Sequence, residues 1–204
     1  MDADTPASIQ PGQATGVLGV LRPMRAEPGV LVHPTADRRL ATERWLLATL
    51  LASLRDQARW EWEQHRVSML PLGGLFSAVR IPERRLTALS TGIEAGCLDE
   101  FLAEALGGGP VICDPCFSRY YALVPASMLA TLHQMAETWG DLEVDCLGRG
   151  SYLGVPRLDA VNREHAFASY WSVPMHSAGV LCNPLTVARL IAAGQHCVDT
   201  EPEA

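Results

Sequence analysis

Three observations predict an α+β domain built on a mostly antiparallel mixed sheet covered by helices. Helix-like and strand-like segments alternate without a regular βα repeat. The strand-like runs are short and bounded by Gly- or Pro-bearing turns. A chain of 204 residues, 48% hydrophobic and 19% charged, is long enough to bury one sizeable core.

Residues 1 to 35 are rich in Pro, Gly, Ala and Thr and carry two apolar bursts, "GVLGVL" and "GVLVHP". They are expected to form an irregular leader, or a hairpin laid on the domain. From residue 36 to 194 the pattern is that of one folded domain, and 195 to 204 reads as an acidic tail. "TADRRLATERWLLATLLASLRDQARWEWEQH" places Leu40, Trp45, Leu47, Leu50, Leu51 and Leu54 near helical spacing without Gly or Pro. It predicts one long amphipathic helix capped by Thr35 or Asp37. "VSMLPLGGLFSAVRIP" reads as a hairpin turning at Gly73-Gly74. "PERRLTALS" and "CLDEFLAEALGGG" follow as short helices, the second stopped by its glycines. "PVIC" and "RYYALVP" are strands joined through "DPCFS", and "ASMLATLHQMAETWG" is a helix ending at Gly140. "DCLGRGSYLGVP" and "ASYWSVP" are strand-like, and "PLTVARLIAAG" is a helix entered through Pro184 and left at Gly194.

No apolar run reaches the ~18 residues of a membrane span, and the acidic N-terminus lacks a signal peptide's basic start and apolar centre. A cytoplasmic protein with no membrane contact is expected. Its six cysteines, too sparse for a disulfide scaffold, are expected as thiols in the core. All 16 basic residues are arginine, as a GC-rich genome would favour, and the net charge of −7 opposes non-specific nucleic-acid binding. The charge is unevenly spread. Residues 94 to 145 hold nine acids against Arg119 alone, whereas Arg80, Arg84 and Arg85 face only Glu83, and Arg149, Arg157 and Arg163 only Asp159.

Each chemical motif is incomplete. Cys113 and Cys116 are half of a zinc site; Cys146, Cys182, Cys197, His133 and His176 supply no second close pair. A redox pair would open a helix, and here a strand follows. Ser151 in "GRGSYLG" lacks the flanking glycines of a nucleophile elbow. "LGGGPVICD" opens a strand, not the helix that a phosphate loop needs. No metal, cofactor or catalytic residue is therefore assigned. Tyr120, Tyr121, Tyr152, Tyr170 and Trp171 offer base-stacking rings, although strand alternation buries half of such residues.

Taken in order, "VSMLPLGGLFSAVRIP", "GGPVICDPCFSRYYALVP", Trp139, "CLGRGSYLGVPRLDA" and "YWSVP" resemble actinobacterial members of the bifunctional DNA primase/polymerase N-terminal family, in the archaeo-eukaryotic primase superfamily. The resemblance spans roughly residues 36 to 193. It implies a replication-related domain in which strand carboxylates hold two divalent metals for phosphoryl transfer and a histidine contacts nucleotide phosphates. This chain departs from that pattern. "LFSAVRIP" has Ser77 as its only polar residue before Arg80, Gly73-Gly74 lead to Leu75 with no histidine, and Asp114 and Asp145 stand singly. The resemblance thus implies a cleft retained for binding, with Arg80, Arg84, Arg149 and Arg157 on phosphate and Tyr121, Tyr152 or Trp171 under a base. Two alternatives stand beside it. One is a protein-interaction domain using the acidic 94 to 145 region or the first helix. The other is an active enzyme in which Asp114, Asp145 and Asp159 converge in space.

Overall fold

The computed structural model describes residues 24–27, 30–32, 34–89, 98–131, 138–161 and 168–200. "GVLGVL", the middle of the helix expected at 126–140, Arg163 and the last four residues lie outside them. The chain divides into two compact units, Met1–Asp37 and Arg38–Ala204. In the first, β1 (Met24–Glu27) pairs antiparallel with β2 (Val30–Val32), so the second apolar burst is part of a small hairpin.

The expected long helix is two. Helix α1 (Pro34–Leu47) starts at Pro34, upstream of both expected caps, because proline's missing N–H costs nothing at the first helical position. It ends where Thr49 Oγ1 donates to the Leu46 carbonyl (2.7 Å) and the Thr49 and Leu50 amides fall back to i→i−3 bonds. A short 3₁₀ turn (Ala52–Leu54) leads to α2 (Arg55–His65), which closes on Arg66 in the left-handed region. Trp62 of α2 is buried and donates its indole N–H to the Val155 carbonyl (2.8 Å).

Strands β3 (Val67–Pro71) and β4 (Phe76–Pro82) do not form the expected hairpin. After α3 (Glu83–Leu89) and α4 (Leu98–Ala105) come β5 (Val111–Asp114), β6 (Arg119–Pro125), α5 (Met128–Thr131), β7 (Asp145–Leu147), β8 (Tyr152–Pro156), β9 (Tyr170–Val173) and α6 (Pro184–Thr200). β3 pairs with β8, while β4 lies inside a five-stranded sheet of order β7-β4-β6-β5-β9, and every pairing is antiparallel. The architecture is α+β. Because β4 pairs with β7 and β3 with β8, the two strand pairs continue each other around a corner. Chains that change sheet at such a corner need a sharp local bend. Gly73 (φ +83°) provides it: a Cβ there would stand 2.3 Å from the Arg149 backbone nitrogen, and Leu72 N–H donates to the Ser151 carbonyl (2.9 Å) alongside.

The corner folds the β3–β8 ribbon over one face of the sheet. That face carries Phe76, Ala78, Ile112, Leu123 and Trp171, packed with Leu70, Leu153 and Val155 of the ribbon and Leu46, Leu47 and Trp62 of α1 and α2. The opposite face, with Val79, Val111, Tyr120, Ala122 and Val173, packs on α3, α4 and α6. A sheet covered on both sides buries successive residues, hence the run Phe76, Ser77, Ala78, Val79 with no polar alternation. Helix α4 stops at Gly107 and Gly108, both at positive φ, as the glycine run predicts. Helix α6 runs through Gly194 to Thr200 instead of ending there. Gly194 is the point where α6 approaches the Arg85 carbonyl of α3, leaving no room for a larger residue without movement.

Candidate functional site

One cross-strand row organises the polar end of the ribbon-side face. Asp145 on β7 is opposite Arg80 on β4, Arg80 opposite Tyr121 on β6, Tyr121 opposite Ile112 on β5, and Ile112 opposite Trp171 on β9. Directly opposed residues share a face, so all five side chains point the same way. The row grades from charged to apolar: Asp145 and Arg80 are partly exposed, Tyr121 half-buried, Ile112 and Trp171 buried. The next row adds Asp114 of β5 opposite Arg119 of β6.

Between this end of the sheet and the outer face of the ribbon lies a cleft of about 570 Å³, lined by Arg80, Asp114, Arg119, Tyr121, Tyr152 and Phe117 among others. A neighbouring cleft of about 540 Å³ shares Arg80, Phe117 and Arg119 and adds Arg84, Glu143 and Asp145. Arg80 donates through Nε (2.9 Å) and a terminal nitrogen to Asp145 Oδ2, and Arg84 pairs with Glu143 (2.5 Å). Arg119 differs from both. Its guanidinium lies over the Phe117 ring, 5.8 Å from the centroid, in the cleft that Tyr121 also lines; among the described residues it forms no ion pair. Burial raises the Tyr121 pKa, Asp114 raises it further, and Arg119 and Arg80 oppose them, so the hydroxyl stays protonated at neutral pH.

Of the residues expected at the site, Arg80, Arg84, Tyr121 and Tyr152 are brought together, and Tyr152 is 63% exposed. Three are not. Trp171 is 1% exposed and donates its indole N–H to the Pro156 carbonyl (3.1 Å), so it is a core residue with no face for a base. Arg149 is exposed in the β7–β8 crossing, against Gly73, and does not line either cleft. Arg157 lies in a separate cleft with Arg39, Glu43 and Arg59, its guanidinium bonded to Asp159. Arg119 and Phe117 are the additions. The alternation that puts Tyr121 on this face puts Arg119, two residues earlier, beside it.

The three aspartates do not gather. Asp145 is bound to Arg80, Asp159 to Arg157 and Arg39, and Asp114 faces Arg119 across the sheet. Among the described residues no group of three His, Cys, Asp or Glu side chains is arranged to hold a metal ion. Cys113 is buried in β5 while Cys116 is exposed in the following turn. The acids of the 94 to 145 region are dispersed too: Asp99 of α4 accepts from Ser172 of β9, Asp114 lies on β5, and Glu143 and Asp145 serve the arginines. No helix among the described residues is long and apolar enough to cross a membrane. Comparison with protein-family models, curated proteins and solved structures gives no significant match.

Proposed function

We propose that this chain is a primase/polymerase-like binding domain, active in a replication context, that holds a nucleotide or the end of a single nucleic-acid strand without performing phosphoryl transfer. The carrying observation is Arg119. It is a guanidinium held over the Phe117 ring, without an ion pair among the described residues, at the meeting point of two clefts. Arginine's planar fork suits a phosphate, and an aromatic underlay keeps it oriented. Tyr152 stands exposed across the same cleft, where its ring can stack on a base. Arg80 and Arg84 supply further positive charge, each at the cost of loosening a carboxylate partner. Two of the three candidate aspartates, Asp145 and Asp159, are committed to arginines. The net charge of −7 favours a short anionic ligand over a long duplex.

Fluorescence anisotropy with labelled oligothymidylate and with a fluorescent nucleoside triphosphate tests this. Binding is expected at low salt, weakening as salt rises, and falling about tenfold with Arg119→Ala and severalfold with Tyr152→Ala, by the usual worth of a charged hydrogen bond and a stacked base. No measurable affinity for either probe at low salt would remove the proposal.

A further inference from the structure

Beyond Tyr152 the outer face of the ribbon runs into a second groove, of about 470 Å³ between α2 and β3, which meets the anion cleft at Val67, Met69 and Tyr152 and extends from there to Leu54 and Trp60. Its chemistry is different. Leu54 (49% exposed), Trp60 (49%), Met69 (54%) and Tyr152 (63%) form its walls, a contiguous apolar set of a kind that monomers seldom leave open to water. The walls are held in place. His65 and Trp60 meet in a T-shaped contact, ring centroids 5.5 Å apart and planes at 86°. Glu61 is anchored too, accepting from Ser68 Oγ (2.7 Å) and Gln57 Nε2 (3.3 Å). Among the described residues Glu61 is the only Asp or Glu lining the groove, and no Arg lines it.

That charge pattern selects the occupant. A nucleic-acid strand would bring phosphates beside a carboxylate with no arginine to receive them. A second copy of a chain carrying −7 would add repulsion to whatever apolar contact it made. An apolar group next to a cation matches both features, since the cation can pair with Glu61 and lie on the indole face. We propose that this groove docks a short segment of a partner protein in which one or two apolar side chains fill the space between Leu54, Trp60 and Met69 and an adjacent arginine or lysine meets Glu61. Aromatic walls around a buried anchor are the usual seat of binding energy in such contacts.

The full chain, panned against a random peptide library displayed on phage, provides the probes, and anisotropy with the selected peptides labelled provides the readout. Selected peptides are expected to pair a leucine or aromatic residue with arginine or lysine. Their affinity should fall about tenfold or more with Trp60→Ala or Met69→Asp, in keeping with loss of an anchor contact. Glu61→Gln, which keeps the acceptor for Ser68, should weaken the cationic peptides and spare versions in which the cation is replaced by glutamine. Arg119→Ala should leave peptide binding intact, which separates this groove from the anion cleft. All these side chains are at least partly exposed, and thermal melts identify any variant that fails to fold, for which Leu54→Ser substitutes. Absence of enriched peptides, or enriched peptides indifferent to these substitutions, overturns the proposal. So does a dimer in light scattering that Met69→Asp abolishes, or oligothymidylate binding that Trp60→Ala abolishes, since these give the groove to a second copy or to nucleic acid.

Discussion

Asp159 is gripped by two arginines, and its titration reports them. Arg157 donates through Nε (2.6 Å) and a terminal nitrogen, and Arg39 approaches to 3.2 Å. The Arg157 bonds are the chief cause that lowers the carboxyl from 3.8 to about 2, partial burial opposes them, and Arg39 assists. A carboxyl whose folded pKa lies below its unfolded value stabilises the fold while ionised in both states. That contribution is present at neutral pH and is lost as pH falls from 3.8 towards about 2. Asp159→Asn is expected to cost about 1 kcal/mol at pH 7, a modest figure because the side chains are partly exposed. Urea midpoints of the two proteins should converge as the pH drops through that window, and a gap that persisted unchanged would contradict the account.

At this scale the sequence was readable where parity alone decides. The "YY" of β6 had to split between faces, and Tyr120 is buried while Tyr121 opens into the cleft. The same parity identifies Arg119, which charge counting set aside as the lone base in an acidic stretch. Trp171 was unreadable as core, because its burial depends on which strand β9 joins and on the ribbon folding above it.

At the scale of elements, the corner between the ribbon and the sheet is the decisive feature. Two glycines in "PLGGLF" suggested a hairpin, since local signals favour local pairing. The actual partner of β3 is β8, far along the chain, and no local pattern names it. The two glycines are also unequal. Gly73 combines φ +83° with the Arg149 backbone at 2.3 Å from any added Cβ, whereas Gly74 has open space around it. Gly73→Ala should therefore destabilise by roughly 3 kcal/mol, from forced positive φ plus displacement of backbone. Gly74→Ala should stay within about 1 kcal/mol of the parent, as measured by chemical denaturation. Equal effects would mean that the corner is not built on Gly73. The break between α1 and α2 was equally hidden, since both halves carry helical periodicity and only the Thr49 hydroxyl, an ordinary helix-surface residue by sequence, marks the stop.

For the whole domain from Arg38 onward, the sheet separates two cores, and the thiols report on one of them. Cys113 and Cys182 are both in the core beneath α3, α4 and α6. Burial pushes the Cys182 thiol up to about 12 and raises Cys113, while half-buried Cys146 rises to about 11. Cys116 is exposed. Of these four, Cys116 is expected to react first with iodoacetamide at pH 8, followed by Cys146. Cys113 and Cys182 should be modified only at the rate of global opening, as read by peptide mass spectrometry. Rapid modification of Cys113 together with Cys116 would place both sulfurs at one accessible site and contradict the split that the strand imposes. The α+β class was legible because composition and segment order are global properties that survive errors in individual pairings.

The paired crossings at Leu72–Leu75 and Gly148–Ser151 constrain how the domain can be re-engineered. They are bonded to each other, so neither can change length alone. A one-residue slip of β3 after such a change would send Leu70 into water and Met69 into the core, and the same slip of β8 would exchange Leu153 with Tyr152. A redesign that lengthens one bend is therefore expected to need a matching change in the other.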